Sequence, residues 1–487
     1  MIPVTTASGR RMAVFGLGRS GLATCAALSA GGAEVLAWDD GAAARETAVA
    51  SGQSVTDLRD ADWASIDALV LAPGVPLTHP EPHWTVTAAL AADVEVIGDT
   101  ELFFRERAAR APDAPVIAIT GTNGKSTTTA LTGHLINAAG GQAQVGGNIG
   151  TAVLSLADFD AAGPARPSAV YVLELSSYQI DLTPTLNPTV GVLLNISPDH
   201  IERHGTFDRY AAIKQRLPNE ADRAVVGIDD RASRAIAASL GAEQRPVTVS
   251  VNDPSATLLL EDRTFSVGAG VDVYDGPQKL TYSLEDNLTL PGAHNGQNAM
   301  AAVAAALSVG VGAGDAAILQ TGLDTFPGLA HRMELIGKLG DVLVFNDSKA
   351  TNADSADKAL GSFEGGIHWI AGGLAKDGGI TALAQHFHRI ERVYLIGEAA
   401  DRFAAEIDDA FPVTLSGTLD QAVADAASGA AQSGATQPVI LLSPACASFD
   451  QFPNFERRGD AFVSAIATLP GLTPLGRLLD KDDGGHG

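Results

Sequence analysis

The sequence predicts an α/β protein of three domains, Rossmann-like at either end, with a phosphate-loop domain between them. Three observations carry that prediction. A chain of 487 residues is longer than one ordinary hydrophobic core organises, and about three domains is the natural division. Short apolar runs recur along it, each ending in glycine or a polar residue before a helical stretch, as parallel strands facing a ligand do. Lastly, Thr-Gly-Thr-Asn-Gly-Lys-Ser-Thr at 120–127 follows directly on the apolar run Pro115–Ile119.

The first domain is expected over residues 1–103. Met12–Phe15 reads as a strand, Gly16–Gly21 as a tight loop, Leu22–Ala30 as a helix and Ala33–Trp38 as a second strand ending at Asp39 and Asp40. Ala68–Ala72 is a further strand, running into the loop Pro73-Gly74-Val75-Pro76, and Val94–Ile97 leads into Gly98-Asp-Thr-Glu-Leu-Phe103. Gly16-x-Gly18-x-x-Gly21 with Asp39 beyond has the form of a dinucleotide fingerprint. Glycines that admit a pyrophosphate to a helix N-terminus serve a nucleotide-sugar diphosphate equally well, and a purely structural turn has the same form.

The central domain, 104–327, opens with the phosphate loop. Gly121 and Gly124 let backbone N–H groups turn toward an anion, Lys125 supplies a point charge to phosphates, and the Ser126 hydroxyl can reach a metal. A helix over Thr127–Ala139 adds its dipole. The generic loop has a glycine five residues before Gly124; that position is Ile119, so this is the shorter G-x-x-G-K-S form. Strands follow at Ala169–Leu173, at Val190–Leu194 and after Asp222. Turn-rich sequence runs from Val247 to Leu290, and a packed helix covers Asn298–Leu307. Glu174 ends an apolar strand, where a magnesium-coordinating acid and a capping carboxylate are equally good readings. His200 in Asn195-Ile-Ser-Pro-Asp199-His200 also follows a strand, which favours a site. Lys214, by spacing alone, reads as an ordinary exposed helix lysine.

The third domain, 328–487, shows four strands at Leu343–Asn346, Ile367–Gly372, Arg392–Gly397 and Val439–Ser443. Residues 480–487 read as a disordered tail.

Composition excludes several classes. Hydrophobic content of 46% with 18% charged residues describes a folded soluble protein, and a net charge of −25 argues against a nucleic-acid partner. Cys25 and Cys446 are too few for a disulfide framework and read as buried small hydrophobes. Arg10-Arg11 before an apolar run has the look of an export signal, but Arg19 interrupts it and a strand–turn–helix fits better. No apolar run reaches about 18 residues, so no membrane span or membrane partner is expected, and the location expected is cytoplasmic.

Several long motifs stand in one order: Gly121–Thr127; Leu173-Glu-Leu-Ser-Ser-Tyr-Gln179; Asp199-His200; Leu290-Pro-Gly-Ala-His-Asn295 with Asn298; and His331-Arg332. Asn346-Asp-Ser-Lys-Ala-Thr-Asn352 and Ser443-Pro-Ala-Cys-Ala-Ser-Phe-Asp-Gln-Phe452 complete the series. Together they resemble the Mur ligases of peptidoglycan synthesis over nearly the whole chain. The last two motifs, with Gly98–Phe103, point to the member that adds D-glutamate to UDP-N-acetylmuramoyl-L-alanine. The Asp-Asn-Pro-Arg and His-His-Pro signatures of other members are absent. A folylpolyglutamate synthase, a nicotinamide-dependent oxidoreductase and an ATP-binding regulatory module are the competing readings.

The resemblance implies an acyl phosphate formed from the substrate carboxylate and ATP, then captured by the amine of D-glutamate, with domain closure keeping water away. It implies that Lys125, His200 and Lys214 are catalytic, and that Ser126, Glu174, His200 and Lys214 hold Mg2+, with Lys214 carbamylated. ATP would meet Gly121, Thr122, Asn123, Gly124, Lys125, Ser126, Thr127, Asn295, Asn298, Arg332 and Asp347. The UDP-sugar would meet Gly18, Arg19, Ser20, Asp39, Gly74 and Asn148, and D-glutamate would meet Lys349, Thr351, Lys376, Ser448 and Phe455. A monomer is expected.

Overall fold

The computed structural model describes residues 1–159, 169–241, 243, 246–268, 278–285, 287, 289–375, 379–407 and 411–475. Lys376 and the expected tail at 480–487 lie outside them. The chain divides into two compact units, Met1–Asp286 with Ala293–Asp324, and Asn287–Gly292 with Thr325–Gly487.

In the first unit, β1 (Arg11–Phe15), β2 (Glu34–Trp38), β3 (Ala68–Leu71) and β4 (Glu95–Ile97) form a parallel sheet in the order β2-β1-β3-β4. Phe15 pairs with both Trp38 and Leu71, so three strands end level and their loops share one edge. A second sheet holds β5 (Val116–Thr120), β6 (Ala143–Gly147), β7 (Val170–Glu174), β8 (Val190–Leu193), β9 (Arg223–Gly227), β10 (Val247–Ser250) and β11 (Leu258–Leu259). Its order is β11-β10-β9-β8-β5-β7-β6, all parallel. Strand β5 lies between β8 and β7, which sets the phosphate loop between the Asn195–His200 loop and Glu174. Strands β12 (Thr264–Val267) and β13 (Leu280–Ser283) form an antiparallel pair within the turn-rich stretch.

The two parallel sheets share a core. Val14, Leu28 and Val70 belong to the same buried cluster as Phe103, Val116 and Leu173. Residue 103, where the sequence divides the first two domains, lies inside the helix Asp99–Arg110. That helix is anchored to the second sheet at its start. Gly98 N–H donates to the Leu182 carbonyl (2.8 Å), and the Glu101 carboxylate accepts from Thr185 N–H (2.9 Å) and hydroxyl (2.8 Å). The alanine-rich helix Ala293–Ser308, buried along Ala299–Leu307, packs on the helix Lys125–Ala138, where small side chains let the two approach.

The second unit contains β14 (Glu334–Leu339), β15 (Val342–Asn346), β16 (Ile367–Gly372), β17 (Ile390–Ile396), β18 (Val413–Gly417), β19 (Val439–Leu442) and β20 (Leu472–Pro474). Their order is β18-β17-β16-β19-β15-β14-β20, with β14 antiparallel to both neighbours. The four strands read from sequence are β15, β16, β17 and β19. Strand β14 returns through the two-residue turn Gly340-Asp341, a hairpin signal present in the sequence. Both cysteines are buried, and burial pushes each thiol up to about 12. Among the described residues no helix is long and apolar enough to cross a membrane.

Candidate active site

The phosphate loop follows from β5 and the helix after it. Gly124 is the N-cap at φ 84°, a left-handed conformation that favours glycine, and a Cβ there would meet Asn298 Oδ1 at 2.4 Å. The close approach puts Asn298 against the loop, and Asn298 Nδ2 donates to Asn295 Oδ1 (3.0 Å). On the other side Asn195 clasps the loop: its carbonyl accepts from Thr122 N–H (2.9 Å) and its Oδ1 from Asn123 N–H (2.8 Å). Lys125 Nζ folds back on the loop, donating to the carbonyls of Gly121 (3.0 Å) and Thr122 (2.9 Å). Ser126 and Thr127 occupy the first helical turn, where N–H groups face an anion.

Lys214 overturns its default reading. It is 1% exposed and lies on the inner face of the helix Phe207–Asn219. Its Nζ donates to Thr120 Oγ1 (2.9 Å) and to the Gly121 carbonyl (2.9 Å), the acceptor that Lys125 also uses. Burial first, and the neighbouring Lys125 ammonium second, hold Lys214 well below its ordinary 10.5. Spacing misled because the amphipathic pattern cannot distinguish a lysine turned into a polar pocket from one turned to water.

Glu174 ends β7 and is 2% exposed. Its Oε1 accepts from Asn148 Nδ2 (2.9 Å), while its Oε2 is buried without a hydrogen-bond partner. Leaving a carboxylate oxygen so is costly, and a hard divalent cation is the partner that would satisfy it. His200 stands at φ 52°, half exposed, 5.0 Å from the Tyr178 ring. Among the described residues no three His, Cys, Asp or Glu side chains gather as a metal site. A nucleotide-bound cation draws much of its shell from phosphate and water instead.

Two residues beside this set carry no signal in the sequence reading. Arg203 donates to the carbonyls of Pro73 (3.2 Å) and Val75, tying the loop after β3 to the His200 segment. His204 is buried, with Nε2 2.9 Å from Ser177 Oγ. Burial, then the positive charges of Arg203 and its neighbours, push its imidazole down to about 4.

At the first sheet's edge, Gly18 caps the helix Arg19–Ala30, and a Cβ on Gly21 would strike the Gly16 carbonyl at 1.8 Å. Gly18, Arg19 and Gly74 are exposed and Ser20 half-buried, open to a ligand. Asp39 is committed to the backbone, its two oxygens accepting from Leu17 N–H (2.8 Å) and Gly41 N–H (2.7 Å). Asp40 accepts from Arg59 (3.0 Å) and Trp84 Nε1 (3.1 Å).

The second unit gathers the remainder. Asp347 is buried and accepts from Ser443 Oγ (2.8 Å) and Met333 N–H (3.2 Å); burial raises it to about 7. Arg332 and Lys349 are exposed, Thr351 and Phe455 half-buried and Ser448 buried. Lys349 Nζ stands 5.8 Å from the Phe455 ring centroid, which brings those two together. Arg458, which the sequence reading missed, joins the β15 and β19 loops through Ser348 Oγ (3.0 Å), Ser348 O (2.9 Å) and Cys446 O (3.0 Å).

Residues 119–306 match the Mur ligase middle domain, and residues 331–446 the Mur ligase glutamate ligase domain. The chain is 56% identical over 477 residues to the UDP-N-acetylmuramoylalanine--D-glutamate ligase of Chelativorans sp. (strain BNC1), covering 98% of this chain and 99% of that one. It is 55% identical to the ligase of the same name from Nitrobacter hamburgensis, covering 98% and 100%. Among solved structures, the UDP-N-acetylmuramate-alanine ligase of Thermotoga maritima aligns with a TM-score of 0.54 at 18% identity, over 94% of this chain and 99% of that one. A UDP-N-acetylmuramoyl-L-alanyl-D-glutamate--2,6-diaminopimelate ligase aligns at 0.55 and 17%, over 96% and 95%. These structural likenesses are of fold.

Proposed function

This chain belongs to the Mur ligase family, and from that premise we infer that it joins D-glutamate to UDP-N-acetylmuramoyl-L-alanine at the expense of ATP, in peptidoglycan precursor synthesis. The observation that supports the reading best is the meeting, on one sheet edge, of the phosphate loop with Lys214 and the half-partnered Glu174. In this reading residues 1–103 carry the UDP-sugar, 104–327 ATP and 328–487 D-glutamate, and the enzyme works in the cytoplasm as a monomer.

A carboxylate has no competent leaving group, so it is activated first. Its oxygen attacks the γ-phosphorus of ATP; the bond to the ADP oxygen breaks and an acyl phosphate forms. The free amine of D-glutamate then attacks the acyl carbon, loses a proton, and inorganic phosphate leaves. Two anions approach in the first step, so Lys125 and the N–H groups of the helix start neutralise charge where it develops. Ser126, Glu174, His200 and a carbamylated Lys214 would hold Mg2+, which would supply Lewis-acid charge at the phosphates. Lys214 suits carbamylation because burial favours its neutral amine, the form that attacks CO2. In that form the nitrogen adds to the carbon of CO2 and loses a proton, which would put an anionic oxygen donor where the amine stood. Asn148 orients Glu174 and faces the sugar-peptide. Asn295, Asn298, Arg332 and Asp347 serve the nucleotide. Gly18, Arg19, Ser20 and Gly74 serve the UDP-sugar, with Asp39 fixing their loop. Lys349, Thr351, Lys376, Ser448 and Phe455 offer donors and a wall to a substrate with two carboxylates.

The test is phosphate release from ATP, magnesium and UDP-N-acetylmuramoyl-L-alanine with D-glutamate, L-glutamate or no amino acid. Release only with D-glutamate, and a product heavier by one glutamyl residue, is expected. Release that ignores the amino acid, or follows L-glutamate alone, overturns the reading.

A further inference from the structure

His204 is a buried imidazole for which the mechanism above has no use. Its Nε2 is 2.9 Å from Ser177 Oγ, at the start of the helix Ser177–Asp181 that follows Glu174. Its ring centroid is 5.4 Å from that of Tyr178 and 5.6 Å from that of Tyr210. Each tyrosine in turn meets a reacting element. Tyr178 packs 5.0 Å from the His200 ring, and Tyr210 places its hydroxyl 3.0 Å from Thr122 Oγ1 on the phosphate loop. Lys214 Nζ lies 5.1 Å from the centroid of that same Tyr210 ring. The His204 side chain therefore touches no proposed ligand of metal or phosphate, although its backbone N–H donates to the His200 carbonyl (3.1 Å), and it packs against the two rings that meet His200 and Thr122.

We propose that His204 is a positioning residue for phosphoryl transfer, a wall between Tyr178 and Tyr210 that is locked to the Glu174 segment through Ser177. Three segments bring the catalytic groups from different parts of the chain: the end of β7, the His200 turn and the helix bearing Tyr210 and Lys214. His204 belongs to the His200 turn and contacts the other two. A buried side chain held by one hydrogen bond and two ring faces has little freedom, so it transmits the placement of one segment to the others. The proposal rests on the phosphoryl-transfer reading of the site.

The experiment compares His204→Leu with His204→Gln, whose amide can still reach Ser177 Oγ, after thermal unfolding has shown both folded. Misplacing reacting groups by about 1 Å costs roughly 100-fold, so kcat of the leucine variant is expected to fall about 10- to 100-fold. KM for D-glutamate should stay within about twofold, and the glutamine variant should recover most of the loss. A second readout does not depend on turnover. The imidazole nitrogen resonances of His200, assigned by loss of signal in His200→Gln, should move in His204→Leu and return toward wild type in His204→Gln. A folded leucine variant with unmoved His200 resonances overturns the proposal. If the wild-type chain releases no phosphate with D-glutamate, the proposed reaction fails instead, and the His200 resonances still decide the role of His204.

Discussion

Replacing Lys214 with methionine separates function from stability at the centre of the site. The side chain is 1% exposed and its Nζ donates to Thr120 Oγ1 and the Gly121 carbonyl. Removing it strands neither acceptor. Thr120 Oγ1 still donates to the Leu175 carbonyl (2.7 Å), and Gly121 O still accepts from Lys125 (3.0 Å). What disappears is a lysine head group whose charged form is disfavoured by burial and by the Lys125 ammonium, a cost that its hydrogen bonds only partly offset. Methionine fills nearly the same volume. Near neutral pH, in CO2-depleted buffer, the variant should be as stable as wild type or more stable by about 1–2 kcal/mol, a few degrees in unfolding midpoint.

The pH dependence follows from the direction of the shift. A lysine whose folded pKa lies below the unfolded value of 10.5 gives up its proton on folding more readily than in the unfolded chain. The unfolded state then binds more protons, so wild-type stability rises with pH toward 10.5, and the cost is complete below the folded pKa. The advantage of Lys214→Met should shrink over that interval. Phosphate release should fall at least ~100-fold, the scale of losing a group that stabilises transition-state charge. In Lys214→Ala, added acetate should restore part of it by supplying an oxygen ligand. Denaturant midpoints from neutral pH to about pH 10 and the release assay test both parts. A variant markedly less stable than wild type near neutrality, or one retaining turnover, refutes the reasoning.

Asp347→Asn should also change the pH profile, with the opposite sign. Burial raises the carboxyl from 3.8 to about 7, so the folded state holds its proton more tightly. Its contribution is complete below 3.8 and lost as pH rises through about 7. Urea midpoints should therefore show Asp347→Asn gaining on wild type between those values, by up to about 4 kcal/mol, and level above them. Arg458→Met should destabilise the second unit by about 1–3 kcal/mol, because Cys446 O and Ser348 O lose a donor in a buried place. Hydrogen exchange of the β15 and β19 amides measures it, and unchanged protection would count against a clamp.

The fold was legible where chemistry and periodicity agree. Strands β1, β3, β5 and β8 are buried apolar runs that end in punctuating residues, and they fall within a residue or two of their expected bounds. Strands β18 and β20 were not legible. They are partly exposed edge strands with no apolar run, recognised by the sheet through backbone pairing alone. At the site, the Gly-Lys-Ser sequence carries its own mechanism, so Lys125 and Ser126 were readable without a fold. Glu174 and His200 needed the strand ends before them. Lys214 needed the family resemblance, because the direction in which a helix lysine turns is set by neighbours 93 and 94 residues away. His204 and Arg458 needed the structure, since a buried imidazole or guanidinium is specified by carbonyls, hydroxyls and ring faces that no local pattern encodes.

The defects of the first unit point to a single completion. Glu174 Oε2 is buried without a donor, while Lys125 and Lys214 crowd one carbonyl. Folding physics alone would not retain either feature, since an apolar residue in place of Lys214 or an amide in place of Glu174 would cost less. Each defect is resolved by what the proposed reaction brings. CO2 on Lys214 would replace the amine beside the Gly121 carbonyl with an anionic oxygen donor. A divalent cation would then have two anionic oxygens to draw on, one of them the unpartnered Glu174 Oε2. The phosphates of ATP would take up the charge of Lys125, whose Nζ donates to the loop's own carbonyls. The cation without the carbamate would lack one of its anionic oxygens, and the carbamate without the cation would be a second buried anion near Glu174. In the proposed reaction these ligands would bind in mutual support, and that coupling would confine ATP's reactivity to the state in which every charge has its partner.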